Sequence, residues 1–405
     1  MHILVIRFSS LGDVVLTTST VSAIKKQMGS AVFLSYLTSS MFAPLLEGHP
    51  HIDQVYSFSR RGGMRGLFEL IKFVNEINRK HKIDLIIDMH GSLRSLFIRL
   101  LFFTIPRISI DKRTFERVLL TLCKVNIMVK TKNKTKSKSF PRFGELLLKR
   151  NVSDLLPIFE GPQSQLNDQS FDQLSSFVTL NASKKYPANQ QQLSSTAITY
   201  QDNSTDSSID FIDGKKFIAI VPSASYAKKR WPSEKFYALI EELLQHNTFK
   251  DYSYIILAGK DDSFCDIFNP LVKKYPQQVF NLQGKTNLTQ STIYLKKALM
   301  VVGNDTGLPH IAEAVGTPSI FILGPTGEEF GFYPHLKYSK MVAKKLWCRP
   351  CTTNGQGFCI RKQRYCLNNV TTLEVISAMT SVLYNLQSES DSEIEIEGEG
   401  EEKAK

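Results

Sequence analysis

The stretch LMVVGNDTGLPHIAEAVGTPSIFILGPT, residues 299–326, decides the fold. Its apolar run 299–302 predicts a fully buried parallel strand, Gly303 to Gly307 a turn, 308–315 a short helix, and 318–323 a second apolar strand. That is a βαβ unit whose glycine-containing turn lies at the carboxyl end of a strand and the amino end of a helix. Open α/β sheets bind ligands there, and the free N–H groups and the helix dipole favour an anion. Asp305 carries the wrong charge for a phosphate but suits hydroxyl donors, while Thr306 and the N–H groups beyond it suit phosphate oxygens. The turn therefore fits a ligand both polyhydroxylated and phosphorylated, such as a nucleotide sugar. Asp305 and Thr306 equally suit helix capping, and the turn alone does not separate the two roles.

Working outward, the second half starts with KFIAIVPSAS, a strand and loop, followed by a helix beginning near Pro232. YSYIILAG then predicts a strand ending in Gly259-Lys260-Asp261-Asp262, and NLQGKTNL with a helix from about Gln290 leads into the quoted stretch. The first half opens on an apolar strand at 2–8, a tight loop at Ser9, Ser10, Leu11 and Gly12, and a helix that Asp13 opens and that runs to about Met28. This turn has neither G-x-G-x-x-G nor a Walker loop, so something other than a pyrophosphate belongs there. Asp13 is a helix N-cap or a functional carboxylate. Strands in AVFLSYL and DQVYSF alternate with helices from about Met41 and from about Met64 to Lys80. DLIIDMHGSLRS then puts Asp88 and His90 at a strand's carboxyl end, as site members or as residues that order the loop. Five or six strand–helix repeats in each half predict two Rossmann-like α/β domains with parallel sheets.

With 405 residues, 42% hydrophobic and 22% charged, the chain is an ordinary globular protein long enough for two cores. Its charge of +12 is uneven, with −6 on residues 388–405 and +18 before them, of which +10 falls between Arg107 and Arg150. Such a body attracts phosphate-rich partners, whether nucleic acid, an anionic membrane or a phosphorylated glycolipid. The amino terminus enters a strand directly, and Arg94 and Arg99 interrupt the best apolar run, so no spanning helix is expected and the protein is expected to be cytoplasmic. The segment SLRSLFIRLLFF reads as a core helix with exposed arginines or as a helix lying on a membrane surface. Residues 161–213, dominated by Gln, Ser, Asn and Thr, predict a disordered linker or insertion, and the acidic tail 388–405 is likewise expected to be disordered. Cys348, Cys351, Cys359 and Cys366 allow a structural metal site, redox pairing or reduced thiols.

DTGLPHIA followed by GTP and GPT resembles the donor-binding signature of glycosyltransferase family 9, the heptosyltransferases of lipopolysaccharide core assembly. Pro309 stands where the family usually has Met or Ser, a tolerable change in a helix's first turn. RFSSLGD, DLIIDMHGSLRS and KRWP resemble further motifs of the same family. The resemblance implies the GT-B architecture, two facing Rossmann-like domains with an inter-domain cleft. It assigns 1–160 to an acceptor-binding domain, 214–370 to a nucleotide-sugar domain, and 371–387 to a helix packing across both. It further implies inverting, metal-independent heptose transfer from ADP-heptose to the lipopolysaccharide inner core, with no cofactor and Asp13 as general base. Ser225, Lys229, Asp262, Asp305, Thr306, Gly307 and His310 would bind the donor, with Lys229 on the diphosphate and Asp305 on sugar hydroxyls. Ser10, Gly12, Asp88, His90 and Arg94 are the acceptor-side candidates. The implied partners are the donor and an anionic glycolipid, with peripheral contact at the cytoplasmic face of the inner membrane and no nucleic acid. Another sugar-nucleotide enzyme on the same architecture, with a different sugar or acceptor, is the alternative, ahead of a basic nucleic-acid-binding protein.

Overall fold

A computed structural model describes residues 1–59, 63–109, 114–124, 215–330 and 334–402. The chain divides into two compact units, Met1–Ser208 with Glu328–Gly331, and Ile209–Gly327 with Phe332–Lys405.

The first unit holds strands β1 (His2–Ile6), β2 (Phe33–Ser39), β3 (Gln54–Phe58), β4 (Leu85–Asp88) and β5 (Arg107–Ser109) in the order β3-β2-β1-β4-β5. All neighbouring strands are parallel. Helices α1 (Leu11–Met28), α2 (Gly63–Lys80), α3 (Leu93–Leu101) and α4 (Thr114–Cys123) accompany them. β1 and β4 are buried at every position, as strands covered on both faces must be. Val14, Val21 and Ile24 of α1 pack with Ile3 and Val5, while Leu70, Val74 and Ile77 of α2 and Ile98 of α3 pack with Leu4, Ile6 and Ile86. Alternate residues of β1 thus feed two cores, and α2 and α3 lie over the same one.

The second unit holds β6 (Phe217–Val221), β7 (Ser253–Ile256), β8 (Val279–Asn281), β9 (Met300–Asn304), β10 (Ser319–Leu323) and β11 (Lys340–Ala343) in the order β11-β10-β9-β6-β7-β8, again all parallel. Its helices are α5 (Ser233–Gln245), α6 (Asn269–Lys274), α7 (Leu288–Lys297), α8 (Gly307–Ala314), α9 (Tyr365–Asn368) and α10 (Thr372–Glu402). The strand–turn–helix–strand read from residues 299–326 is β9, α8 and β10. Gly303 is required there, because a Cβ would come within 2.8 Å of the Val221 side chain and 2.9 Å of its carbonyl oxygen. Trp231 is buried against Phe236 and donates its ring N–H to the Val370 carbonyl at 3.2 Å, so it is a packing anchor.

Several expected elements differ. No helix starts near Met41; only the 3-10 turn Ala43–Leu45 links β2 to β3, since Pro44 supplies no N–H and Gly48 adopts φ +79°. Asp13 is the third residue of its helix rather than its cap, which is Ser10. α10 does not stop near Leu386 but is helical to Glu402, and side chains from residue 389 onward lie outside the described residues. The polar segment 161–213 also lies outside them. β5, α4 and β11 had no clear signal in the sequence. Among the described residues no helix is long and apolar enough to cross a membrane.

Candidate active site

In the first unit the loop after β1 is closed by a reciprocal capping box. The backbone N–H of Ser10 donates to Asp13 Oδ2 at 3.0 Å and its hydroxyl donates to the same oxygen at 2.8 Å. Arg7 makes the third contact, 2.5 Å from its guanidinium to Asp13 Oδ2, and is itself anchored on the Met89 carbonyl. Burial would push the Asp13 carboxyl up, but Arg7 and the two Ser10 donors outweigh it and hold the group below the usual carboxylate range. The side chain of Asp13 stays 27% exposed, so it is ionised, fixed in place and reachable. Gly12 is buried in the first turn of α1.

Asp88, the last residue of β4, is fully buried. Its Oδ1 accepts the N–H groups of His90 and Gly91, each at 2.9 Å, and its Oδ2 lies 3.0 Å from Arg99. It therefore orders the turn into α3, at which Gly91 takes φ +55°. The His90 ring stands edge-on to Phe8 with centroids 5.5 Å apart. Arg94 is half-buried in the first turn of α3.

In the second unit three separated motifs meet at the carboxyl edge of the sheet. Lys229, from the 3-10 turn Ala227–Lys229 after β6, brings its ammonium 2.6 Å from Asp305 Oδ2, which also accepts the Thr326 hydroxyl at 2.9 Å. The other oxygen of Asp305 faces His310 Nε2 at 3.7 Å. At 2% exposure Asp305 is enclosed, and Lys229 and His310 overcome the cost of burial to depress its pKa strongly. Asp305 Oδ2 thus serves Lys229 and Thr326, and the carboxylate holds the lysine. His310 is buried against Phe321, with its Nε2 turned to Asp305. Thr306 is the N-cap residue of α8 but makes no side-chain capping bond, and Thr306, Gly307 and Leu308 are only half-buried. The first N–H groups of α8 thus lie where an anion can meet them.

Ser225 is exposed on the loop after β6. Asp262 closes the turn after β7 by accepting the Gly259 N–H at 2.9 Å, and it stands 3.9 Å from Arg230, whose guanidinium lies over the Phe264 ring. Sequence reasoning missed Arg7, Asn304, Thr326 and Arg230. Asn304 ties two motifs together by accepting the Trp231 N–H at 2.8 Å and donating to the Pro222 carbonyl at 2.6 Å. Its position beside Asp305, and that of Arg7 in RFSSLGD, were the available signals.

The four clustered cysteines are free thiols, and no group of three His, Cys, Asp or Glu among the described residues is arranged to hold a metal. The segment instead walls the Lys229 turn. Lys228 donates to the Phe358 carbonyl at 2.9 Å, and Gln356 to the Tyr226 hydroxyl at 2.8 Å. Gly355, at φ +94°, runs so close to Lys229 that a Cβ would come within 2.6 Å of its stem.

The family model described as glycosyltransferase family 9 (heptosyltransferase) matches residues 168–358. Lipopolysaccharide heptosyltransferase 3 of Escherichia coli is 23% identical over 326 residues, 79% of this chain and 82% of that protein. Lipooligosaccharide heptosyltransferase 2 of Haemophilus influenzae is 31% identical over 119 residues, spanning 29% of this chain and only 33% of that relative. Among solved structures, the E. coli ADP-heptose lipopolysaccharide heptosyltransferase II is similar with TM-score 0.61 and 19% identity, covering 96% of this chain and 100% of that one. A family 9 glycosyltransferase from Veillonella parvula follows with TM-score 0.60 and 16% identity, covering 95% and 97%. At these identities the two structures speak for the fold.

Proposed function

The chain belongs to glycosyltransferase family 9 and is an enzyme of that class, and from that premise we propose inverting transfer of heptose from ADP-heptose to a sugar of the lipopolysaccharide inner core. The acceptor hydroxyl gives its proton to Asp13 as its oxygen forms the new bond to the anomeric carbon. The bond from that carbon to the diphosphate breaks on the opposite face, and ADP leaves with the electron pair. A carboxylate held ionised by Arg7 and still reachable from solvent suits the base.

Charge developing on the leaving diphosphate is met by Lys229 and by the N–H groups that open α8. Asp305 takes one of the three ammonium donors and so fixes the lysine beside the start of α8. Lys229 and the helix start supply the positive charge that a divalent metal supplies in other transferases, so the reaction is proposed to run without one. The observation that carries this reading is the convergence of Lys229, Asp305 and Thr326 beside the start of α8.

The test is incubation of the purified full chain with ADP-heptose and a deacylated inner-core acceptor, with the product read by mass spectrometry in EDTA and in magnesium. A heptose-extended product at equal rates in both is expected. No product with ADP-heptose but product with another nucleotide sugar would replace the donor, and activity lost in EDTA and restored by magnesium would remove the metal-free step.

A further inference from the structure

An acceptor carried by a lipid must be met at a membrane, and the first unit has a face built for that encounter. α3 is apolar on both sides. Ser95 and Ile98 turn inward, whereas Leu93, Phe97, Leu100 and Leu101, spaced at i, i+4, i+7 and i+8, point outward and are 41% to 75% exposed. The reading of this segment as a core helix with exposed arginines is therefore reversed. Arg99 is largely covered and paired with Asp88, Arg94 is half-buried, and the leucines meet solvent. A helix with apolar residues all round is ordinarily covered on every side.

The neighbouring α2, which packs on α3 over the same core, exposes Met64 and Phe68 at i, i+4 near its amino end. Both helices start at the carboxyl edge of the parallel sheet, following β3 and β4, and that is the edge carrying the Asp13 loop after β1. Charge selects the occupant. No Asp or Glu occurs from residue 89 to 110, which contains Arg94, Arg99 and Arg107, and the body of the chain is +18. An exposed apolar helix face on a strongly basic protein matches the acyl boundary and phosphate headgroups of an anionic bilayer.

We propose that the outward face of α3, with the amino-terminal part of α2, docks the protein on an anionic lipid surface. This rests on the proposed lipid-borne acceptor only for its purpose; the lipid contact itself needs neither donor nor acceptor. The leucines and Phe97 enter the acyl boundary while the exposed Arg107, which reaches back to the Phe103 carbonyl after α3, and Arg65, beside Met64 on α2, stay with the phosphates.

The test is cosedimentation of the full chain with vesicles of phosphatidylethanolamine and phosphatidylglycerol, compared with phosphatidylcholine alone. The variants are Phe97→Ser with Leu100→Ser, and separately Phe68→Ser. Binding to the anionic vesicles that weakens with salt, and that falls on the order of tenfold or more in the double variant, is expected. Both variants should keep the wild-type thermal midpoint and the wild-type rate on a water-soluble acceptor, because these side chains are exposed. Equal binding by wild type and double variant would overturn the proposal, as would no preference for anionic lipid. A wild-type dimer in light scattering that the double variant abolishes would assign the face to a second copy instead. Failure of heptose transfer with intact vesicle binding would remove the functional reading and leave the docking face standing.

Discussion

Asp13 and Asp305 are ionised carboxylates at sheet edges, one in each unit, and their surroundings set them apart. Asp13 is gripped by partners three and six residues away, Ser10 and Arg7, all on one oxygen, and remains 27% exposed. Asp305 is gripped by Lys229 and Thr326, distant in the sequence, has His310 on its other oxygen, and is 2% exposed. A carboxylate that is held and reachable can exchange a proton with a substrate; one that is held and enclosed can only position what holds it. The same side chain is thus held open to solvent in one unit and enclosed as an anchor in the other.

The largest effect that breaks or sharpens this contrast is expected from Asp13→Asn. Asn can still accept the Ser10 N–H, so the capping box survives, but it cannot take a proton. Turnover should fall by roughly 10²–10⁴-fold with donor affinity near wild type. Near-normal turnover in a folded variant would reduce Asp13 to a capping residue and shift attention to His90, since Asp88 is committed to its turn.

Asp305→Asn comes next. Removing one partner of a buried pair leaves Lys229 uncompensated, at a cost of about 3–5 kcal/mol, and frees its ammonium to swing. A lower thermal midpoint with weakened binding of ADP by calorimetry is expected. An unchanged midpoint with donor binding lost would mean that Asp305 touches the ligand directly.

Arg7→Met should have the smallest effect at neutral pH. Without the guanidinium, burial raises the Asp13 pKa, so the acid limb of the kcat/KM profile should move to higher pH while the plateau changes little. The sign in stability is the same. A depressed carboxylate contributes stability above its unfolded pKa and loses it as pH falls through its folded pKa, so the variant should lose less stability on acidification than wild type. An acid limb that does not move would mean that Asp13 does not set it.

Most of the scaffold was legible because buried parallel strands are short apolar runs, and turns between them are marked by Gly, Pro and capping residues. β9, α8 and β10 fall within one or two residues of their reading. The misplaced pieces were those whose pattern was weak or whose boundary was set by one residue: the Met41 helix that Pro44 and Gly48 reduce to a turn, and β5 and β11, too short to carry a period.

By itself the sequence determined most of the segments that become strands, that the apolar runs among them must be doubly covered and hence parallel, and which loops carry the polar side chains. Local spacing also determined the Ser10–Asp13 box, since three residues in a first helical turn can meet in only one way. Only the tertiary structure decided what the long-range partners are. Lys229 and Asp305 are 76 positions apart, and strand order alone brings the loops after β6 and β9 together, because those strands are neighbours in the sheet. It likewise decided that the arginines of α3 turn aside while its leucines face water. Periodicity distinguishes a helix's faces but not which one the rest of the chain will cover.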